Sequence, residues 1–282
     1  MKQKAPGAHR ARQAAWAVAI LAISALVGMS VAWRAPGLDL YARDRLMRAR
    51  GRLAPPDDIV ILAIDEASIA RFGRFPWPRA LMAGALDRVA AAHPKAIALD
   101  VLYTEPAAQA GKDDDRRLAE AIARAGNVAV AAQLTAVAGG ERSAEWLRPL
   151  PAIEAAAAGV GHVNVLTKSD GAARGLSLRA ADDAGQAFWA LSVETLRIGD
   201  RLAANAVRDL AHGVTIGARR IPVERDTHPF LIHPLDRSDP NSQLETVLAS
   251  RLTIDYIGPT GSFAPCTISF AELMDESFRR EA

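Results

Sequence analysis

The chain has 282 residues, of which 50% are hydrophobic, 23% charged and 5% aromatic, and its formal net charge is +2. This composition is ordinary for a folded domain, and the length is ample for a packed core. Basic and acidic residues are interspersed, without the concentrated basic stripe that nucleic-acid binding requires, so we expect no nucleic-acid partner. Because Cys266 is the single cysteine, an internal disulfide is excluded.

The first element in chain order is an apolar segment without charge, residues 14–33. A helix of this length, rising about 1.5 Å per residue, spans about 30 Å, the thickness of a bilayer core. Trp16 and Trp33 stand near its two ends, where interfacial aromatic side chains are common. We therefore predict a transmembrane helix over 14–33, preceded by a cytoplasmic N-terminus over 1–13.

Two other interpretations of this segment stay open. The basic start and the small-x-small sequence Ser30–Ala32 fit a cleaved signal peptide. A buried core helix fits less well, because the segment is apolar on every face. Lys and Arg residues flank both sides of the segment, and long domains can be translocated regardless of nearby charge, so charge does not decide the orientation.

The rest of the chain alternates between apolar runs and helical periodicities. An amphipathic helix is predicted over 38–50, and further helices over 79–92, 113–125, 152–157 and 187–197. Strands are predicted over 58–64, 96–102, 127–131, 159–165, 175–180 and 251–257. The run 58–64 is typical of a strand buried on both faces, and 58–102 as a whole predicts a parallel βαβ unit. The fold class is therefore α/β, a mixed or mostly parallel sheet covered by helices; residues 200–245 carry few signals.

Carboxylates follow the first predicted strands. Asp65 and Glu66 stand at the carboxyl end of the first strand, where open α/β sheets bind their ligands. They could instead cap the helix that follows. Asp100 has a similar place in the second strand, as a ligand contact or as an internal hydrogen-bond partner. The acidic residues 113–115 lack the ligand spacing of a calcium-binding loop, so we expect them to form the first turn of a helix.

Two further motifs supply candidate ligand contacts. Trp77 and Arg79 belong to a stretch that two prolines stiffen, which favours packing at a helix start over an interface. Gly161, His162 and Asn164 belong to a glycine motif that follows a predicted helix rather than a strand, so the context of a dinucleotide fold is missing. His162 is a candidate ligand contact or pH-sensitive group, with a hydrogen-bonded core histidine as the simpler alternative.

No sequence motif for catalysis was found. G-x-S-x-G, the P-loop, H-E-x-x-H and paired-cysteine metal motifs do not occur in the sequence. We therefore predict no catalytic residue, no metal, no cofactor and no enzyme activity.

Four stretches of the chain, in this order, resemble the CHASE2 family of bacterial sensory domains. They are residues 40–80 with IDEAS and GRFPWPR, 96–106 with DVLYTEP, 158–178 with GVGHVN, and 252–274 with IDYIGPTGSF and TIS. The resemblance implies a sensory domain over 34–282 in the periplasm, tethered to the bacterial inner (cytoplasmic) membrane by the N-terminal helix. It also implies an unknown extracytoplasmic ligand, action as a homodimer, and a cytoplasmic effector such as an adenylate, guanylate or diguanylate cyclase or a kinase.

The chain departs from the family pattern near its C-terminal end. Asp255 stands where the family usually has Asn, and residues 263–266 contain an extra residue. A core strand that the family places after this point is missing, so we expect the sensory domain to be truncated. Two other functions therefore stay open: an exported α/β enzyme using Asp65, Glu66 and Asp100, and a non-functional remnant of a longer sensor–effector protein.

Overall fold

The computed structural model describes residues 16–24, 26, 28, 37–107, 112–137, 143–167, 172–210, 213–223, 230–232, 244–246 and 250–275. The chain divides into two compact units. The first comprises residues 1–59 and 255–265, and the second comprises residues 60–254 and 266–282.

The N-terminal part of the first unit is helical at residues 16–24, 26 and 28. Its large apolar side chains are 60–69% exposed, and they are Trp16, Val18, Ile20, Leu21, Ile23 and Leu26. The other residues of the predicted segment 14–33, Trp33 among them, lie outside the described residues. In the part of the chain that the structure describes, no helix is long and apolar enough to span a bilayer.

The first unit continues with helix α1, Gly37–Arg50, which confirms the helix predicted over 38–50. Arg50 donates to both carboxylate oxygens of Asp255 at 2.7 Å and to the carbonyl of Tyr256 at 2.6 Å. Arg52 donates to the carbonyl of Gly261 at 2.5 Å, and the amide of Leu53 to the carbonyl of Ile257 at 2.7 Å. We call these contacts the clasp. They hold the end of α1 against the loop 255–265.

The second unit contains mixed α/β structure. Its helices are α2 Glu66–Phe72, α3 Arg79–Ala90, α4 Lys112–Ala125, α5 Pro151–Ala156, α6 Leu191–Gly199 and α7 Phe270–Leu273. Its strands are β1 Ile61–Ala63, β2 Ile97–Leu99, β3 Val128–Val137, β4 Ser143–Leu147, β5 Gly159–His162, β6 Val165–Thr167, β7 Ala173–Ser177, β8 Arg179–Ala181, β9 Ala187–Trp189, β10 Val207–Leu210, β11 Gly213–Ile216, β12 Arg219–Ile221, β13 Phe230–Ile232, β14 Leu244–Thr246, β15 Arg251–Thr253 and β16 Thr267–Ser269. Short 3₁₀ helices cover Ala204–Ala206 and Ala264–Cys266.

The central sheet is built around the long strand β3. Its first half lies parallel to β2 on one side and to β5 on the other, and its second half pairs antiparallel with β4. Val128 and Val130 pack into the core that α3, α4 and α5 share, whereas Ala129 and Ala131 pack against α6. Because successive side chains of a strand point to opposite faces, β3 is covered by helices on both sides. This confirms the α/β class.

The remaining strands form several small sheets rather than one. In strand order they are β15–β7–β6, β10–β11–β12, β8–β9, β13–β14 and β1–β16. The prediction of a mixed sheet covered by helices therefore holds for the central sheet, whereas the other strands lie in separate small sheets. A second core lies between α6 and the strands β7–β12, with Val214 and Ile216 fully buried.

The first predicted strand occurs as β1, but its predicted partner and its predicted burial are wrong. β1 pairs in parallel with β16, and among the described strands it has no other neighbour, so it forms no βαβ unit with β2. Val60 and Ile61 are 46% and 37% exposed, so the run is not buried on both faces. The parallel crossovers instead connect β2 through α4 to β3, and β3 through α5 to β5. A run of apolar residues alone does not identify its partner strand.

Two other regions differ from the prediction. The helix predicted over 187–197 begins only at Leu191, because residues 187–189 form strand β9 beside β8. Strands β10, β11 and β12 form an antiparallel sheet in a region where few signals were recognised. In the loop-rich stretch 224–242, only residues 230–232 are described, and these form β13.

Candidate functional site

Asp65 is the N-cap of helix α2, as the capping interpretation expected. Its carboxylate accepts hydrogen bonds from the Ser68 amide at 2.9 Å, the Ser68 hydroxyl at 2.6 Å and the Ser269 hydroxyl at 2.8 Å. These bonds, those from Ser68 above all, lower the pKa of Asp65. The two hydroxyls in turn accept from the Ala271 amide, so one hydroxyl–carboxylate group caps both α2 and α7.

Trp77 lies in the core, with only 3% of its surface exposed. Its indole N–H donates to the carbonyl of Gly73 at 2.7 Å, and its ring centroid lies 4.8 Å from that of Phe270. The rings of Phe72 and Phe75 pack edge-on against it at 5.5 and 5.6 Å. Packing at the start of a helix, the interpretation favoured for this motif, agrees with this environment.

Arg79 lies among groups that come from three different segments. Its guanidinium stacks over the ring of Tyr103 at 4.4 Å, lies 3.4 Å from a carboxylate oxygen of Asp115, and donates to the carbonyl of Glu105 at 3.3 Å. Asp115 also accepts from the Ala107 amide at 3.1 Å. Arg79 therefore connects the start of α3 to the start of α4 and to the segment after β2.

Asp114 supplies the cap that helix α3 lacks in its own sequence. Pro78 is at the N-cap position and makes no side-chain cap bond. The carboxylate of Asp114, which is 4% exposed, accepts from the amides of Arg79 at 2.5 Å and Ala80 at 2.8 Å. The acidic run does start α4 as predicted. The side chains of Asp114 and Asp115 are buried and bind groups of other segments, which the sequence did not indicate.

The Asp114→Ala substitution is expected to lower the free energy of unfolding by about 2 kcal/mol, because it leaves two amides of α3 without an acceptor. Asp113→Ala in the same turn is the matched control. Its side chain is 83% exposed, and its one ion pair among the described residues is with Arg116 at 3.5 Å, so a change within about 0.5 kcal/mol is expected. Urea unfolding of both variants measures the difference. Equal losses in the two variants would contradict the cross-helix cap.

Tyr103 is buried beneath Arg79 with 1% of its surface exposed. Burial raises the pKa of its hydroxyl to about 12, and the charge of Arg79 opposes this rise. The hydroxyl makes no hydrogen bond to any described residue. Glu66 and Asp100 differ from these groups, because both are exposed and neither joins the interactions of Asp65 or Arg79 among the described contacts.

His162 and Asn164 lie at a different place, beside β3 and α6. The side-chain amide of Asn164 donates to the Leu134 carbonyl at 2.7 Å and accepts from the Leu134 amide at 2.9 Å, which continues the pairing of β3 beyond β5. His162 is 1% exposed, and its Nδ1 accepts from the Asn164 amide at 3.3 Å. Nε2 has no hydrogen-bond partner among the described residues. This environment is that of a core histidine.

The glycines of the same motif allow β5 to approach α6 closely. A Cβ at Gly161 would lie 2.5 Å from the Leu191 Cα, and a Cβ at Gly159 would lie 2.5 Å from the Glu194 carboxylate. Glu194 forms a buried ion pair with Arg197 at 2.7 Å. The carbonyls of Ala158 and Leu202 also accept from this arginine. Sequence reasoning missed the pair, although its i,i+3 spacing on a predicted helix was visible.

The comparison with known families accounts for these motifs. A family model of the CHASE2 domain matches residues 17–281. The chain belongs to the CHASE2 family. The comparisons with curated proteins and with solved structures gave no match. CHASE2 domains are sensory, non-catalytic domains of signalling proteins, which agrees with a sensory role for this chain.

Most CHASE2 motif stretches meet at the carboxyl ends of β1, β2 and β16. IDEAS and TIS are joined through the hydroxyl–carboxylate group, GRFPWPR packs on Phe270, and DVLYTEP is held by Arg79. We call this set the strand-end network; it comprises Asp65, Ser68, Trp77, Arg79, Tyr103, Asp114, Asp115, Ser269 and Phe270. The structure therefore brings Asp65, Trp77 and Arg79 into one network, and places His162 and Asn164 in another part of the CHASE2 domain. Across the described residues, no His, Cys, Asp and Glu side chains group as a metal site requires.

Proposed function

We propose that this CHASE2 domain is an extracytoplasmic sensor, anchored in the bacterial cytoplasmic membrane by residues 14–33, that passes a signal to a cytoplasmic effector. The effector would be a cyclase, a diguanylate cyclase or a kinase. The family match over residues 17–281 carries this proposal, because the family is one of sensory domains. Composition and motifs add no catalytic group to it.

The anchoring part of the proposal is supported by the exposed apolar helix near the N-terminus. Side chains such as Leu21 and Ile23 are 69% and 61% exposed. An apolar helix that is exposed on all sides is unfavourable in water and favourable in lipid. Because the segment 14–33 contains no charged residue, a bilayer is the environment that fits it best.

The clasp supports a physical route for the signal. Helix α1 follows the proposed membrane segment in sequence, and one guanidinium nitrogen of its Arg50 donates to both carboxylate oxygens of Asp255. Asp255 opens the loop 255–265, which connects β15 to β16 along the chain. A ligand that binds one of two arrangements of the sensor more tightly would shift the sensor toward that arrangement. The shift would change the conformation of this loop and, through the clasp, the position of α1. We expect this to happen within a homodimer.

The exported-enzyme alternative receives no support from the described side chains. It required the carboxylates of Asp65, Glu66 and Asp100 to converge in one open site. Instead Asp65 caps α2, and the other two are exposed side chains outside the strand-end network.

Fusing alkaline phosphatase to the C-terminus of the full chain tests the location in a bacterial host. The enzyme needs disulfides that form outside the cytoplasm, so we expect an active fusion in the membrane fraction that salt washing does not release. The same fusion without residues 14–33 is the control and should be inactive. An inactive full-length fusion would refute the proposal. A soluble, active product whose N-terminus follows Ala32 would replace the anchor with a cleaved signal peptide.

A further inference from the structure

A basic cleft opens on the second unit at the amino ends of β2, β3 and β5. It has a volume of about 480 Å³, and His93, Lys95, Arg197 and Arg201 are among the residues that line it. This volume falls in the range of sites for small ligands. The cleft lies at the opposite strand ends from the strand-end network, where sequence reasoning had placed the candidate contacts.

The charge of the cleft is one-sided. Among the described residues, no acidic side chain lines it. Arg197 is neutralised by Glu194, and the neighbouring Asp200 is paired with Arg219 at 3.0 Å. The side chains of Lys95 and Arg201 are exposed, and in the described part of the chain neither has a hydrogen-bond or ion-pair partner. Two cations therefore line the cleft without a carboxylate partner among the described residues.

The backbone turns sharply at three places beside the cleft. Helices α3, α4 and α6 all end at the cleft, and each is followed by a residue in the left-handed conformation: His93 at φ 51°, Gly126 at φ 70° and Arg201 at φ 55°. After α6, the amides of Arg201 and Leu202 close the turn onto the carbonyls of Ile198 and Arg197 at 2.9 Å. Glycine adopts this conformation without strain, whereas arginine does so at a cost in stability. Arg201 thus has a strained backbone conformation at a position that lines the cleft.

The three helix ends explain part of this charge. The free carbonyls at one helix end together carry about half a negative unit charge, which favours cations nearby. The dipoles do not explain why the cations line a concave site of ligand size, free of carboxylates. We propose that the basic cleft binds a small organic anion, a carboxylate or a phosphate, through Lys95 and Arg201. The inference that the signal molecule binds in this cleft rests on the proposed sensory function. The inference that the cleft binds an anion does not.

The test uses the purified full chain in detergent, titrated calorimetrically with citrate, succinate and inorganic phosphate at low salt. We expect at least one of these anions to bind, with affinity falling as the ionic strength rises. In the Lys95→Gln/Arg201→Gln variant, binding should weaken about tenfold or more, because two charge-assisted contacts are lost. Arg117→Gln/Arg208→Gln removes the same charge elsewhere on the surface and should bind as the wild type does.

Three outcomes would overturn the inference: no binding of any of the three anions, equal affinity of the cleft variant and the wild type, or equal weakening in both double variants. Because all four side chains are exposed or half-buried at the surface, the variants should fold, and equal unfolding midpoints verify this. If the phosphatase fusion is active and no anion binds, the proposed anion site is wrong and the proposed sensory function stands. If an anion binds and the fusion is inactive, the proposed extracytoplasmic location is wrong and the anion site stands.

Discussion

Replacing Gly161 with alanine is expected to lower the free energy of unfolding by about 3 kcal/mol or more, the largest loss predicted for this chain. The new Cβ would lie 2.5 Å from the Cα and 2.7 Å from the amide nitrogen of Leu191. Both are backbone atoms, so no side-chain rotation can relieve the contact, and β5 must move away from α6. For a domain of this size, the midpoint of thermal unfolding should fall by about 6–12 °C.

Gly84→Ala is the matched control for this experiment. Gly84 lies inside α3, and a Cβ there would meet only the Met274 methyl group at 3.7 Å, an ordinary contact. Alanine is the better helix former, so this variant should be as stable as the wild type or up to about 1 kcal/mol more stable. If Gly161→Ala unfolds at the wild-type temperature, β5 and α6 do not approach each other as closely as described.

A loss of about 3 kcal/mol in stability on acidification is expected from His162 alone. Burial lowers its pKa from 6.5 to about 4, and the nearby backbone of Ser177 opposes part of this shift. In the unfolded chain the same group protonates near pH 6.5. The stabilising contribution is therefore complete above pH 6.5, decreases between pH 6.5 and about 4, and is fully lost below that range.

Urea unfolding at pH 7.5, 5.5 and 4.5 measures this contribution. Carboxylates also titrate in this range, so the quantity to compare is the pH dependence of the wild type minus that of His162→Asn. We expect the variant to lose less stability between pH 7.5 and 4.5 than the wild type, whatever its stability at neutral pH. Parallel curves for the wild type and His162→Asn would show that His162 is not buried in its neutral form.

Elements with a strong local pattern could be predicted from the sequence. Helices α3 and α4 occur within two residues of their predicted positions, because each contains enough apolar residues to define its own buried face. Strand β3 begins at Val128, close to its predicted start, but continues to Val137, beyond the predicted end. The partner of β1 could not be predicted, since strand β16 is about two hundred positions away in the chain. The sheet β10–β12 did carry a recognisable signal, the alternation of Val214 and Ile216 before the turn at Gly217.

In the strand-end network, too, some contacts follow from local sequence and others depend on distant segments. The cap of α2 by Asp65 follows from local sequence, because the spacing to Ser68 is that of an N-cap motif. The roles of Ser269 and Asp114 depend on how distant segments meet, and the three consecutive aspartates look alike until the fold buries two of them. The basic cleft was missed because Lys95 and Arg201 follow two different helices, α3 and α6, and share no sequence motif.

The clasp between Arg50 and Asp255 joins positions that lie 205 residues apart. An exposed ion pair contributes about 0–1 kcal/mol, far less than the entropy of closing so long a loop. The ion pair therefore adds little to the free energy of unfolding, and it forms only where Arg50 and Asp255 are adjacent. Its presence reports that adjacency, so a change in the loop 255–265 that moves Asp255 away from Arg50 would open the ion pair at little cost in stability.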